Sequence, residues 1–185
     1  MKLHNTAENK TKTNILDAFW ALYKKKAIET ISIKDIVEKA GYNRSTFYEY
    51  FIDIYDVLET IENELIPSIE TLPPITIEGN SIGMPIHSFV EVFKKNQEYY
   101  TVLFGPHGDP SFVQKLKSQI KTILINNLSL SKESINFELD YALEFIISGM
   151  IGIMIYWLKQ SNKPPEVYLF KLIKELMPQM NPLKR

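Results

Sequence analysis

Residues 32–51 read SIKDIVEKAGYNRSTFYEYF, and the two halves of this stretch obey different rules. In the first half Ile33, Ile36, Val37 and Ala40 fall on one face at the spacing of an amphipathic helix. Ser32 precedes that run and Asp35 lies one turn on, an acidic variant of the capping box, so a helix is predicted to begin at Ile33. Gly41 follows directly, where a chain turning sharply off a helix needs a residue able to take positive φ. Asn43 can then cap another helix, predicted to run to about Phe51 with Phe47 and Phe51 on its inner face. Two short helices joined by a glycine-containing turn form a helix-turn-helix outline. The second helix displays Arg44, Ser45, Thr46, Tyr48 and Tyr50 where a packed helix would carry aliphatics, so that face is expected to meet a polar partner.

Upstream, Ile15, Ala18, Phe19 and Leu22 mark an amphipathic helix from Thr13 to about Ala27, closed by Lys24, Lys25 and Lys26, whose charges suit the negative end of the helix dipole. Downstream, Asp53 can cap a fourth helix from Ile54 to about Leu72, which Pro73-Pro74 ends. The stretch 75–83, ITIEGNSIG, has no period and is expected to be a connecting loop. Everything beyond reads as helix: 85–96, 98–104, 112–128, 133–159 and 166–177, with Asp109-Pro110 supplying an N-cap and a first-turn proline. The expected class is all-α, with about nine helices: a three-helix head joined by a connecting helix to a helical bundle. Past Phe145 the helix over 133–159 is apolar on every side, so it must be covered twice. Its neighbours cover one side, and a second copy of the chain is expected on the other, where Gly149 and Gly152 allow close backbone approach.

The chain has 185 residues, 45% of them hydrophobic, enough to bury a core. It has no cysteine, which excludes disulfides, thiolate metal sites and cysteine nucleophiles and agrees with a reducing compartment. A polar N-terminus, and an apolar run over 145–158 shorter than the roughly 20 residues of a spanning helix, predict a cytoplasmic protein without a membrane partner. The histidines at 4, 87 and 107 are scattered, and no GxGxxG, HExxH or nucleophile elbow occurs. Neither enzymatic activity nor a metal or cofactor is therefore expected. The net charge of −1 hides an asymmetry: residues 1–50 carry nine Lys/Arg against six Asp/Glu, and residues 51–185 carry twelve against sixteen. A protein that meets nucleic-acid phosphates concentrates positive charge at the binding end in this way.

With Ser32-Ile33, Ile36, Ala40-Gly41, Thr46-Phe47-Tyr48, Tyr50-Phe51 and Leu58 in place, the sequence resembles the TetR family of transcriptional regulators over about residues 10–60. The string AGYNRSTFYEYF, residues 40–51, is the specific part. LFGPHGDPSF (103–112) and SGMIGIMIYWLKQSNKPPEVY (148–168) are similar to a group of TetR-like C-terminal domains of low-GC Gram-positive bacteria. The resemblance implies a helix-turn-helix DNA-binding domain over 1–52 and a regulatory, ligand-binding and dimerisation domain over 53–185. It also implies a double-stranded DNA operator as partner and a repressor as the default role. Some regulators with this body are similar to activators that work with a protein coactivator, which leaves that partner as the alternative. Two positions depart from the family pattern: Ile54 stands where a lysine commonly holds a phosphate, and Val37 where alanine is common.

The expected DNA face comprises Lys34, Asn43, Arg44, Ser45, Thr46, Tyr48 and Tyr50. Lys34 and Arg44 stand at helix starts that attract phosphate, and Arg44, Ser45 and Thr46 can meet base edges, arginine being suited to guanine. The tyrosines can pack on a thymine methyl or give their hydroxyls to phosphate. One such head touches few base pairs, so a homodimer on a near-palindromic operator is expected. Its seam is placed at Gly149, Gly152, Ile153, Tyr156, Trp157, Phe170 and Ile173. A pocket for a small apolar or aromatic effector is placed among Phe89, Phe93, Tyr100, Phe104, Tyr141 and Phe145, with His87 or His107 as polar handles.

Overall fold

The computed structural model describes residues 7–66, 76–78, 81–83, 86–127 and 137–176. Its contacts divide the chain into two compact units, Met1–Leu65 with Pro106–Gly108, and Ile66–Gly105 with Asp109–Arg185.

The first unit holds α1 (Ala7–Tyr23), a short 3-10 turn (Ile28–Thr30), α2 (Ile33–Ala40), α3 (Arg44–Tyr48) and α4 (Ile54–Leu65). α1 packs on α2 and α4, and α2 on α3. The buried face of α1 is Ile15, Leu16, Ala18, Phe19, Trp20 and Tyr23. This helix starts earlier than its apolar spacing suggests, because polar residues extend it without adding to the stripe. It also stops before the lysines, leaving Lys24 and Lys25 in an exposed turn.

The α2 capping box is closed: the Asp35 N–H donates to the Ser32 hydroxyl at 3.2 Å, and the Asp35 carboxylate accepts from the Ser32 N–H at 3.0 Å. Gly41 takes φ +77°, the left-handed region that side chains disfavour. α3 ends at Tyr48 instead of continuing to Phe51, yet the Phe51 N–H still reaches the Phe47 carbonyl at 3.0 Å. Phe47 and Phe51 therefore meet inside the head as expected, ring centroids 5.7 Å apart. α4 is capped by Asp53, whose carboxylate accepts from the N–H groups of Tyr55 and Asp56, while Asp56 accepts from the N–H of Ile52. Its apolar side, Val57, Leu58, Ile61 and Leu65, is buried. The contact unit that holds these helices ends at Leu65. The expected continuation of α4 to Leu72 lies outside the described residues.

The second unit opens with a small antiparallel hairpin, β1 (Thr76–Glu78) and β2 (Ser81–Gly83), in which Ile77 pairs with Ile82. This corrects the expected loop over 75–83. Three-residue strands are too short to show a period, but the Gly79-Asn80 dipeptide between them is a hairpin signal. The helices follow as α5 (Ile86–Lys95), α6 (Gln97–Leu103), α7 (Pro110–Asn127), α8 (Phe137–Lys159) and α9 (Glu166–Leu176). α5 packs on α6 and α9, and α6 and α7 pack on α8. By length and composition α8 could cross a membrane, a criterion that the central helix of a bundle also meets. Leu139, Leu143, Ile146, Ile147, Ile151, Met154, Trp157 and Leu158 pack inward along it. That pattern is the one a bundle's central helix produces.

Candidate nucleic-acid interface

Phe47 decides what α3 can show. It is fully buried and anchors a five-residue helix, which fixes the opposite side outward. Arg44 and Ser45 are exposed there, and Tyr48 is 58% exposed, its ring edge-on to Phe47 at 5.6 Å. Asn43 is the cap. Its side-chain oxygen accepts from the Thr46 N–H at 2.9 Å and from the hydroxyls of Ser45 and Thr46 at 2.6 and 3.1 Å. Those bonds hold both hydroxyl residues to the start of the helix, so Asn43 acts first on α3 itself. Thr46 and Tyr50 are half-buried. Lys34 is exposed on α2, with Glu38 one turn away at 3.6 Å, an exposed pairing of the kind worth little in water.

Spacing gave no sign of Tyr42. Its hydroxyl accepts from the Asn14 side chain at 3.0 Å, tying the turn between α2 and α3 to α1. Hydrogen bonds from Thr11 and Asn14 lower its pKa from the usual phenol range. The turn therefore rests on the first helix as well as on Gly41.

In the second unit α8 presents an outward stripe of Phe137, Tyr141, Phe145, Gly149, Gly152 and Tyr156, spaced three or four residues apart. Tyr141 is 74% exposed and Tyr156 69%. Among the described residues, a side chain begun at Gly149 or Gly152 would meet no atom within 4 Å beyond the adjoining backbone of its own helix. α9 adds exposed Val167, Tyr168, Leu172 and Leu176. One flank of the stripe is polar: Lys117 pairs with Glu144 at 3.1 Å, Ser148 donates to Glu144 at 2.9 Å, and Lys121 pairs with Asp140 at 2.6 Å. The Lys117 and Ser148 hydrogen bonds lower the Glu144 pKa.

Behind α8 lies an aromatic stack. Phe93 and Tyr100 have centroids 4.1 Å apart, Tyr100 and Phe104 5.6 Å, and Phe104 and Phe112 5.8 Å. Tyr100 is fully buried, and burial pushes its phenol pKa up. Phe93 also lines a cavity of about 20 Å³ with Ile120, Ile147, Met150, Ile151, Met154 and Ile173. That is roughly room for one water, in a lining that offers it no hydrogen bond.

Two family models match the chain. Residues 15–61 match the model described as bacterial regulatory proteins, tetR family. Residues 86–179, half of the chain, match the model described as a transcriptional regulator C-terminal region. The chain belongs to the TetR family of transcriptional regulators. TetR proteins are transcription factors, not enzymes.

Among solved structures, a TetR transcriptional regulator from Streptococcus agalactiae 2603V is 22% identical, with a TM-score of 0.59 over 90% of this chain and 94% of that one. The dihydroxyacetone kinase operon activator DhaS is 20% identical, with a TM-score of 0.61 over 92% and 96%. A tetR-family regulator from Streptomyces coelicolor is 13% identical, with a TM-score of 0.64 over 97% and 82%. At these identities the likeness is one of fold. No curated protein matches the chain.

Several expected positions are corrected within the TetR fold. Tyr141 and Phe145 lie on the outer stripe of α8, apart from the stack of Phe93, Tyr100 and Phe104, because the helix rotates them away from the face that holds Leu143 and Ile147. Trp157 and Ile173 are buried in their own chain, Trp157 donating its indole N–H to the Pro164 carbonyl at 2.8 Å. Neither reaches an outer surface. Gly149, Gly152 and Tyr156 do, and Ile153 is half-buried beside them. The side chains of Phe89, His87 and Phe170 lie outside the described ones.

Proposed function

We propose that this TetR regulator is a homodimeric repressor that places one α3 in each of two successive major grooves of a near-palindromic operator. The observation that carries this reading is the division of α3, with Phe47 inside and Arg44, Ser45 and Tyr48 outside. Arg44 reads a guanine edge, Ser45 and Thr46 meet neighbouring bases, and Tyr48 packs on a thymine methyl or bonds a phosphate. Lys34 supplies a phosphate contact from α2, and the Tyr50 hydroxyl supplies another. Asn43 holds the helix start in the shape that presents them.

The apolar stripe of α8 with the outer residues of α9 supports the dimer. An exposed face of this composition marks an interaction site, and open space at Gly149 and Gly152 suits a second backbone. A small apolar effector, held beside Phe93 in a cavity that widens to receive it, would favour one spacing of the two heads over the other.

A second reading, in which a protein coactivator carries much of the work, is favoured by the start of α4. There Ile54 takes the place of a cation and Asp53 and Asp56 surround the helix end. DhaS, which shares the fold, is described as an activator.

Fluorescence anisotropy with a labelled duplex from the region upstream of the gene separates the two. Tight, sequence-selective binding that weakens steeply as salt rises from about 50 to 200 mM supports the repressor. Absence of binding at the lower salt supports the coactivator reading.

A further inference from the structure

We propose that the start of α4, where Ile52 and Tyr55 stand outward, is a docking surface for a basic amphipathic segment of a protein partner. The proposal rests on the coactivator reading above and gives that partner a place and a chemistry.

An apolar residue just before a helix cap ordinarily packs on the fourth residue of the helix. Asp53 caps α4, and the fourth residue, Val57, is fully buried, yet Ile52 is 81% exposed. It is the most exposed large apolar side chain among the described residues. Phe51 takes the inward position beside it, and Tyr55, three residues on, is 54% exposed. The backbone beneath both is fixed. The Asp53 carboxylate accepts from the N–H groups of Tyr55 and Asp56 at 2.8 and 2.9 Å, and the Asp56 carboxylate accepts from the Ile52 N–H at 2.8 Å. A partner meets a surface that needs little ordering.

The rim of this surface is acidic. Glu49, Asp53 and Glu59 are exposed and Asp56 is half-buried, while no Lys or Arg occurs between Arg44 and Lys94. Lys12 of α1, 5.5 Å from the centroid of the Phe51 ring, sets one positive charge against these four. That balance selects the occupant. A DNA phosphate would meet carboxylates, and backbone N–H groups already bonded to them. A second copy related by a two-fold axis would set acid against acid. A protein segment with Lys or Arg beside aliphatic side chains fits both parts, its apolar side on Ile52 and Tyr55 and its cations on the rim.

The test is fluorescence anisotropy on the full-length protein without DNA, using a labelled synthetic peptide of leucine and lysine at helical spacing. Ile52→Ser keeps the backbone N–H that Asp56 accepts from and is expected to weaken peptide binding by roughly tenfold, the size of one interface anchor. Glu59→Gln is expected to cost less, with a loss that fades as salt rises. Replacing the leucines of the peptide by serine is expected to abolish binding. No binding of the leucine-lysine peptide, equal binding of the serine peptide, or equal affinity for wild type and Ile52→Ser would each overturn the proposal. So would an Ile52→Ser effect confined to duplex binding, which would assign the surface to DNA. Because the peptide is measured alone, tight duplex binding by the wild type would defeat the coactivator reading and leave the docking result standing. Loss of docking beside weak duplex binding would overturn only the surface.

Discussion

A single buried ring organises the DNA face. Phe47 sits in the core of the head, and its burial turns Arg44 and Tyr48 outward. Replacing Arg44 by Ala is expected to weaken binding to the selected operator by ~1–3 kcal/mol and to relax sequence choice, measured by anisotropy on operator and scrambled duplexes. An equal loss on both duplexes would make Arg44 a phosphate contact only. Asn43→Ala removes an oxygen that accepts three hydrogen bonds and is expected to cost about 0.5–2 kcal/mol in thermal or urea unfolding. The capping role of Asn43 was legible because it depends only on the next three residues. Tyr42 was not, since its partner Asn14 lies far away in sequence. Nor were Tyr141 and Phe145, because an aromatic at helical spacing does not declare whether its own chain or another covers it.

The individual helices show the same contrast. The start of α2, the sharp turn at Gly41 and the caps of α4 and α7 are local devices, and all stand where the sequence put them. The early end of α3, the early start of α1 and the paired strands 76–78 and 81–83 depart from expectation where the apolar pattern is too short or absent. The capping box also makes α2 sensitive to acid. Bonds from the Ser32 N–H and hydroxyl, with Lys26 beside them, hold the Asp35 carboxyl below its usual range. A carboxyl with a depressed folded pKa stabilises above its unfolded value of about 3.9, and that contribution is lost as pH falls through the folded value. The melting-temperature gap between wild type and Asp35→Asn is therefore expected to be present at neutral pH and to close as pH falls below the usual carboxylate range. A gap that stays constant would assign the α2 start to packing rather than to the charged cap. Glu144, held low by Lys117 and Ser148, carries the same sign on the flank of the α8 stripe.

At the scale of the whole molecule, the proposed dimer rests on a surface that the described residues leave uncovered. The α8 stripe, unlike the buried row behind it, has no counterpart among the described residues of its own chain. The need for such a cover was visible in a helix apolar on all sides, but which residues faced out required the rotation of α8, and this exchanged Trp157 and Ile173 for Phe137, Tyr141 and Phe145. Gly152→Arg adds a side chain where no described residue beyond the adjoining helix backbone stands within 4 Å, so it should leave the monomer's fold intact. Light scattering is expected to show half the mass, and duplex binding should fall with it; a dimer that persists would move the seam off α8. The most direct test of the account is a hydroxyl-radical footprint on the duplex selected from the upstream region. Two paired α3 helices should protect two patches on one side of the DNA, centred about 10–10.5 base pairs or a small multiple of that apart. A single patch, or none while the protein remains dimeric and folded, would contradict it.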